Sequence, residues 1–146
     1  MLNPSASLFV SEANSKTAGT KLRDLRIENI GNIIIAHLNI NSLRNKFDFL
    51  AEIVCGNVDI LIIGETKLDS SFPKSLFKID GFKKPYRIDR NEHGGGVMVY
   101  VRVDIPSQEN PKKHKLPAKV EGVMVEINLR KMKFLLIGIY HSTNND

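Results

Sequence analysis

Apolar positions along this chain come in short blocks, and the spacing within each block predicts its structure. Residues 32–39 contain Ile33-Ile34-Ile35, a compact β-branched run that predicts a buried strand. Asn41-Ser42 then offers an N-cap, and Leu43, Phe47, Leu50, Ala51 and Val54 recur at helical spacing. Gly56 suits the left-handed residue that closes such a helix. Residues 58–64 form a second short apolar block and predict a second buried strand. The three elements make a β-α-β unit, whose strands are expected to run parallel.

Later blocks are of other kinds. Residues 66–95 read as an irregular stretch anchored on the core by Phe72, Phe77, Phe82 and Tyr86. Gly94-Gly95-Gly96 turns into a strand over Val97–Val103. Residues 104–119 carry Pro106, Pro111 and Pro117 with the basic cluster Lys112-Lys113-His114-Lys115, the marks of a surface loop. Residues 120–128 alternate apolar and polar, and a turn near Leu129-Arg130-Lys131 leads to Lys133–Tyr140, predicting an antiparallel hairpin. Residues 1–22 are rich in Ser, Ala, Thr and Asn with little apolar period and read as a flexible leader, leaving 23–146 as one domain.

Composition narrows the function classes. With 42% hydrophobic and 25% charged residues, the chain is an ordinary globular sequence able to bury a core. Its formal net charge of +5 fits either a polyanionic partner such as nucleic acid or a solvated lysine-rich surface. Cys55 is the one cysteine, so no internal disulfide forms; it falls on the apolar helix face and is expected in the core. No apolar stretch has membrane-spanning length and no signal peptide is visible, so a nuclear or cytoplasmic location is expected, with no membrane partner.

Candidate chemistry sits at the strand ends. Parallel strands would bring Asn39 and Glu65 to the same sheet edge, where ligands of open α/β sheets bind. A carboxylate in such a place caps a loop, pairs with a lysine or holds a hard cation, and Asn39 either shapes a turn or joins that cation. The triple glycine after His93 has no Gly-x-Ser-x-Gly partner and is no phosphate loop, and the four histidines lack zinc spacing.

Taken in order, Leu38-Asn39-Ile40-Asn41-Ser42-Leu43, Gly64-Glu65-Thr66-Lys67-Leu68, Arg87-Ile88-Asp89-Arg90 with Gly94-Gly95-Gly96-Val97, Val120-Glu121 and Gly138-Ile139-Tyr140 resemble the endonuclease/exonuclease/phosphatase family. The likeness is to the endonuclease domain of jockey-like, LINE-type retrotransposon polyproteins, over residues 32–140. It implies an α/β, DNase-I-like β-sandwich flanked by helices, here truncated to roughly its first half. It implies Mg²⁺-dependent cleavage of DNA phosphodiesters, nicking a target to prime reverse transcription, with a downstream reverse transcriptase domain as partner. Glu65 would hold Mg²⁺, Asn39 would assist at metal and phosphate, and Tyr140 would sit by the scissile phosphate. Arg87 and Arg90 are assigned to the DNA backbone on charge. The family's Asp-x-Asn and Ser-Asp-His motifs do not follow Tyr140, and His141-Ser142-Thr143 replaces the branch's Arg-Pro-Pro. The expected consequences are weak or no activity alone, and a largely missing second sheet that leaves one apolar sheet face bare. A non-enzymatic nucleic-acid- or protein-binding remnant and an unselected gene fragment stand as the alternatives.

Overall fold

The computed structural model describes residues 12–141, with side chains from residue 17 onward. The fold is mixed α/β, built as three layers: two helices, a four-stranded sheet and a three-stranded sheet. Helix α1 spans Glu12–Glu28 and α2 spans Phe47–Val54. The larger sheet has the order β1-β2-β4-β3, from β1 (Ile35–Asn39), β2 (Ile60–Gly64), β3 (Tyr86–Ile88) and β4 (Val97–Val101). The smaller has the order β5-β6-β7, from β5 (Ser107–Glu109), β6 (Val120–Leu129) and β7 (Met132–His141).

The predicted β-α-β unit is present. β1 and β2 are parallel, with Ile35 opposite Ile60 and Asn39 opposite Gly64. β4 runs antiparallel to β2 and β3 antiparallel to β4. Every residue of β2 and β4 is buried, because both faces of these strands are covered. Leu61, Ile63, Met98 and Tyr100 face the helices, while Ile60, Ile62, Val97, Val99 and Val101 face the smaller sheet. This explains why both blocks are continuous runs rather than alternating ones. The predicted hairpin also forms, closed by Arg130 and Lys131 at φ 47° and 71°, the paired left-handed conformations of a tight two-residue turn.

Several expectations need correction. Residues 1–11 of the expected leader lie outside the described residues, but residues 12–22 belong to α1. Ala18 and Leu22 are buried on that helix at a four-residue spacing, and Gly19 comes close to Ile53 of α2, so a narrow apolar stripe suffices to dock it. Asn41 and Ser42 do not cap a helix; both have positive φ, and α2 begins only at Phe47, after a turn through Lys46. Cys55 is exposed at the C-cap, its Sγ 3.5 Å from the Asp80 carbonyl oxygen, because Gly56 (φ 75°) turns the chain away there. The second sheet is not largely missing: β5–β7 cover the face of β2 and β4 that was expected to lie bare. β3 and β5, each three residues long, were not anticipated.

Opposite the edge that ends in Asn39, a charged tie closes the fold. The Asp59 carboxylate is 1% exposed and accepts hydrogen bonds from Arg26 Nη2 at 2.5 Å, the Ile34 amide at 2.7 Å and Arg102 Nη1. It fastens the last turn of α1 to the start of β2.

Candidate functional site

The edge formed by the C-terminal ends of β1 and β2 and the N-terminal end of β4 is built from unusual backbone. Six residues there have positive φ: Asn41 (47°), Ser42 (82°), Glu65 (53°), Lys67 (51°), Gly95 (70°) and Gly96 (90°). Four of them are not glycine, a conformation side chains seldom adopt without surrounding constraint. The constraint is a lattice of main-chain hydrogen bonds. Ile40, Ser42 and Leu43 donate to the carbonyls of Gly64, Glu65 and Thr66 at 3.0, 2.9 and 3.0 Å. Lys67 and Thr66 donate to Gly95 and Gly96 at 3.1 and 3.4 Å. Three separate loops are thus locked together around Glu65.

Asn39 and Glu65 lie at the same sheet edge. Asn39 lies opposite Gly64 in register, one residue before Glu65. Asn39 is exposed, and its Oδ1 accepts a bond from the Asn41 amide at 3.2 Å. The Glu65 side chain is half-buried and has no hydrogen bond or ion pair among the described residues. The lysine beside it is engaged elsewhere: Lys67 Nζ donates to Asn41 Oδ1 at 2.6 Å. Lys46 Nζ donates to the carbonyls of Ile40 and Asn41 at 2.7 and 3.0 Å. The pairing of Glu65 with a lysine, one of the readings open from sequence, is therefore not made among the described residues.

Glu121, at the start of β6, is the link to the smaller sheet. Its Oε2 accepts a hydrogen bond from the Gly96 amide at 3.2 Å, and its Oε1 lies 3.5 Å from Arg90 Nε. Across the β6–β7 ladder Glu121 stands opposite Tyr140. One carboxylate therefore couples the Gly95-Gly96 turn, which holds Thr66 and Lys67, to β6, the strand paired with the one that carries Tyr140. Only its place at the start of an alternating strand points to this, since the donor it meets lies 25 residues away.

The two arginines part company. Arg90 is on the rim, its side chain 38% exposed. Arg87 is buried: Nε and Nη2 grip Asp89 at 2.7 and 2.8 Å, and Nη2 also donates to the carbonyls of Asp69 and Phe72 at 3.0 and 2.8 Å. Its assignment to the DNA backbone is corrected: the group braces the loop between β2 and β3 from inside. In that loop the Ser71 hydroxyl and amide hold the Asp69 carboxyl below the usual carboxylate range. Arg44 stacks over Phe72 at 5.0 Å and approaches Glu92 at 3.6 Å, adding a second rim cation near the edge.

As a metal-binding set, this edge supplies one free carboxylate and one amide oxygen. No cluster of three or more His, Cys, Asp or Glu suited to a metal occurs among the described residues. A carboxylate with an amide oxygen at the same edge is a donor set that suits Mg²⁺, which is held by one or two carboxylates and completes its shell with water and phosphate.

No protein-family model matches the sequence, and no curated protein matches it. Among solved structures, the chain is similar to a 3′ phosphatase, NExo, from Neisseria, bound to a product DNA hairpin. The identity is 18% and the TM-score 0.46; the match covers 71% of this chain and 40% of that chain. No helix among the described residues is long and apolar enough to cross a membrane.

Proposed function

We propose that the chain carries the first part of a Mg²⁺-dependent DNA endonuclease site of the retrotransposon type, within a DNase-I-like fold. The observation behind this reading is Glu65: a half-buried, unpaired carboxylate in a positive-φ conformation, held by three loops beside Asn39. A carboxylate with no protein partner, on a backbone held this firmly, is free to take a hard cation. Glu65 would hold the cation with Asn39 beside it, and Mg²⁺ when bound would offset charge on a phosphodiester. Arg90 and Arg44 would meet backbone phosphates from the rim, and Tyr140 would flank the phosphate being cut.

Within residues 1–146 no Asp-x-Asn or Ser-Asp-His motif follows Tyr140, and these residues offer positioning rather than proton transfer. Cleavage by this chain alone should fall several orders of magnitude short of a complete site. The deciding experiment has two arms. Duplex DNA binding, measured by fluorescence anisotropy against salt, should weaken steadily as salt rises. Nicking of supercoiled plasmid with Mg²⁺ should be slight and vanish in Glu65→Ala. Salt-independent binding would sink the DNA reading. Vigorous nicking lost in Glu65→Ala would sink the expectation of weak cleavage by residues 1–146, and Glu65→Ala nicking like wild type would sink the role of Glu65. Binding that follows salt with no cleavage at all would favour the non-enzymatic nucleic-acid-binding alternative.

A further inference from the structure

The loop from Asn110 to Lys119 lies across the outer side of the smaller sheet. Asn110 continues the ladder by donating to the Met124 carbonyl at 2.9 Å. Leu116 stands over Gly122, where an added Cβ would come within 2.6 Å of Leu116 Cδ1. Met124 is buried under this loop, although it alternates with Val123 and Val125, which face the larger sheet. The Asn110 side chain fixes the turn that follows: Nδ2 donates to the His114 carbonyl and Oδ1 accepts from the His114 amide, both at 2.8 Å. The turn presents Lys112, Lys113, His114 and Lys115, all exposed. None of the three lysines meets a carboxylate among the described residues.

The loop covers β6 and stops short of β7. There Leu135, Ile137 and Ile139, opposite Glu126, Met124 and Gly122, stay 46%, 44% and 54% exposed on the same outer side. Loop and row meet at a cleft of about 260 Å³, lined by Pro111, Lys112 and His114 of the loop and by Lys133, Phe134 and Leu135 of β7. The one acid in its wall, Glu126, already lies 3.4 Å from Lys133 Nζ.

We propose that this cleft and the row beside it dock an acidic amphipathic helix of a partner protein. Its aliphatic side would rest on Leu135, Ile137 and Ile139, and its carboxylates would face Lys112, Lys113 and Lys115. Charge selects the partner: unpaired ammonium groups beside an aliphatic strip are matched by carboxylates beside leucine-like side chains. Length agrees. From Leu135 to Ile139 a strand rises about 14 Å, which a helix covers in about nine residues with anchors three and four apart. Nucleic acid would use the lysines and leave the row bare, because phosphate gains nothing from leucine and isoleucine. A flat anionic membrane would meet the loop and be held off the row behind it. The area is small, so the complex is of the transient class.

The probe is a labelled synthetic helix with leucines three and four residues apart and glutamates on the adjoining side, added to the 146-residue chain. Fluorescence anisotropy should saturate in the micromolar range and weaken as salt rises. A scrambled peptide of the same composition should bind about 10-fold more weakly. Lys112→Gln with Lys113→Gln should weaken the helix about 5-fold, and Leu135→Ser with Ile137→Ser about 10-fold by removing apolar contact. All four side chains are exposed, so both variants should keep the wild-type circular dichroism. If the serine pair unfolds, the lysine pair and the scrambled peptide decide. Amide shifts on adding the helix should fall on residues 112–116 and 133–139 and spare Glu65 and Gly96. Glu65→Ala should bind the helix like wild type, which separates this result from the fate of the nuclease reading. Equal binding of the scrambled peptide, no saturation, or a lysine pair that loses duplex DNA more than the helix would each overturn the proposal. Binding to phosphatidylserine vesicles that the serine pair abolishes would overturn it too, as would a dimer of the chain that the serine pair dissolves.

Discussion

Gly96 shows how tightly the candidate edge is built. Its φ is 90°, and a Cβ there would stand 2.2 Å from Thr66 Oγ1. That hydroxyl is fully buried and has no hydrogen-bond partner among the described residues. Gly96→Ala therefore adds backbone strain to a collision beside Glu65. The expected cost is about 2 kcal/mol or more, lowering the melting temperature by roughly 6 °C. Gly31→Ala, where nothing lies within 4 Å of the added atom, is the control and should stay near wild type in the same thermal scan. Glu121 is the second test at this scale. Glu121→Ala strips the Gly96 amide of its acceptor and should cost about 1–2 kcal/mol in chemical denaturation. Glu121→Gln keeps an acceptor oxygen and should lose much less. Asp69 gives a pH prediction. Its carboxyl is depressed by Ser71, so its contribution is present above the unfolded value and is lost as pH falls through the lower folded value. Asp69→Asn should flatten that part of the acid-unfolding curve.

Helix α1 is the element that the apolar pattern concealed. A stripe built on Ala18 and Leu22 is too sparse to stand out in a Ser-, Thr- and Ala-rich sequence, yet Leu22 belongs to the same core as Leu61 and Val54. Leu22 is 5% exposed, so Leu22→Ala should cost about 2–4 kcal/mol through the cavity left behind. A flexible leader would give no change, and urea denaturation distinguishes the two. β1, β2, β4 and the β6–β7 hairpin were legible because each signal was local: a β-branched run, a period of two, a turn. The edges of those elements were less so. Ser42 and Asn41 have cap-forming side chains, but their backbone is held left-handed by carbonyls of residues 65 and 66, contacts no local pattern encodes. The site divides in the same way. Asn39 and Glu65 follow from parallel strands of matched length. The burial of Arg87 and the reach of Glu121 to Gly96 depend on loops folding back across the sheet.

At the scale of the whole molecule, the central strands decide how the fold comes apart. β2 and β4 give alternate side chains to two cores, one under the helices and one between the sheets. Neither core can be dismantled without exposing a face of the same two strands. The layers should therefore unfold together, although the smaller sheet has few residues of its own in the interior. Glu121 on β6 adds a polar tie at the candidate edge, and Gly138 on β7 lets that strand approach Ile62, Val97 and Val99 closely. Native-state hydrogen exchange tests the coupling directly. Amides of β2 from Leu61 to Ile63 and of β6 from Val123 to Ile127 should exchange with the same opening free energy, near that of global unfolding. Leu61→Ala and Val125→Ala, one in each core, should lower both sets together. If β6 opened at distinctly lower free energy while β2 stayed protected, the smaller sheet would be a separately melting layer. The distance between Tyr140 and Glu65 would then vary with that motion, and an edge assembled from both sheets would hold its geometry only part of the time.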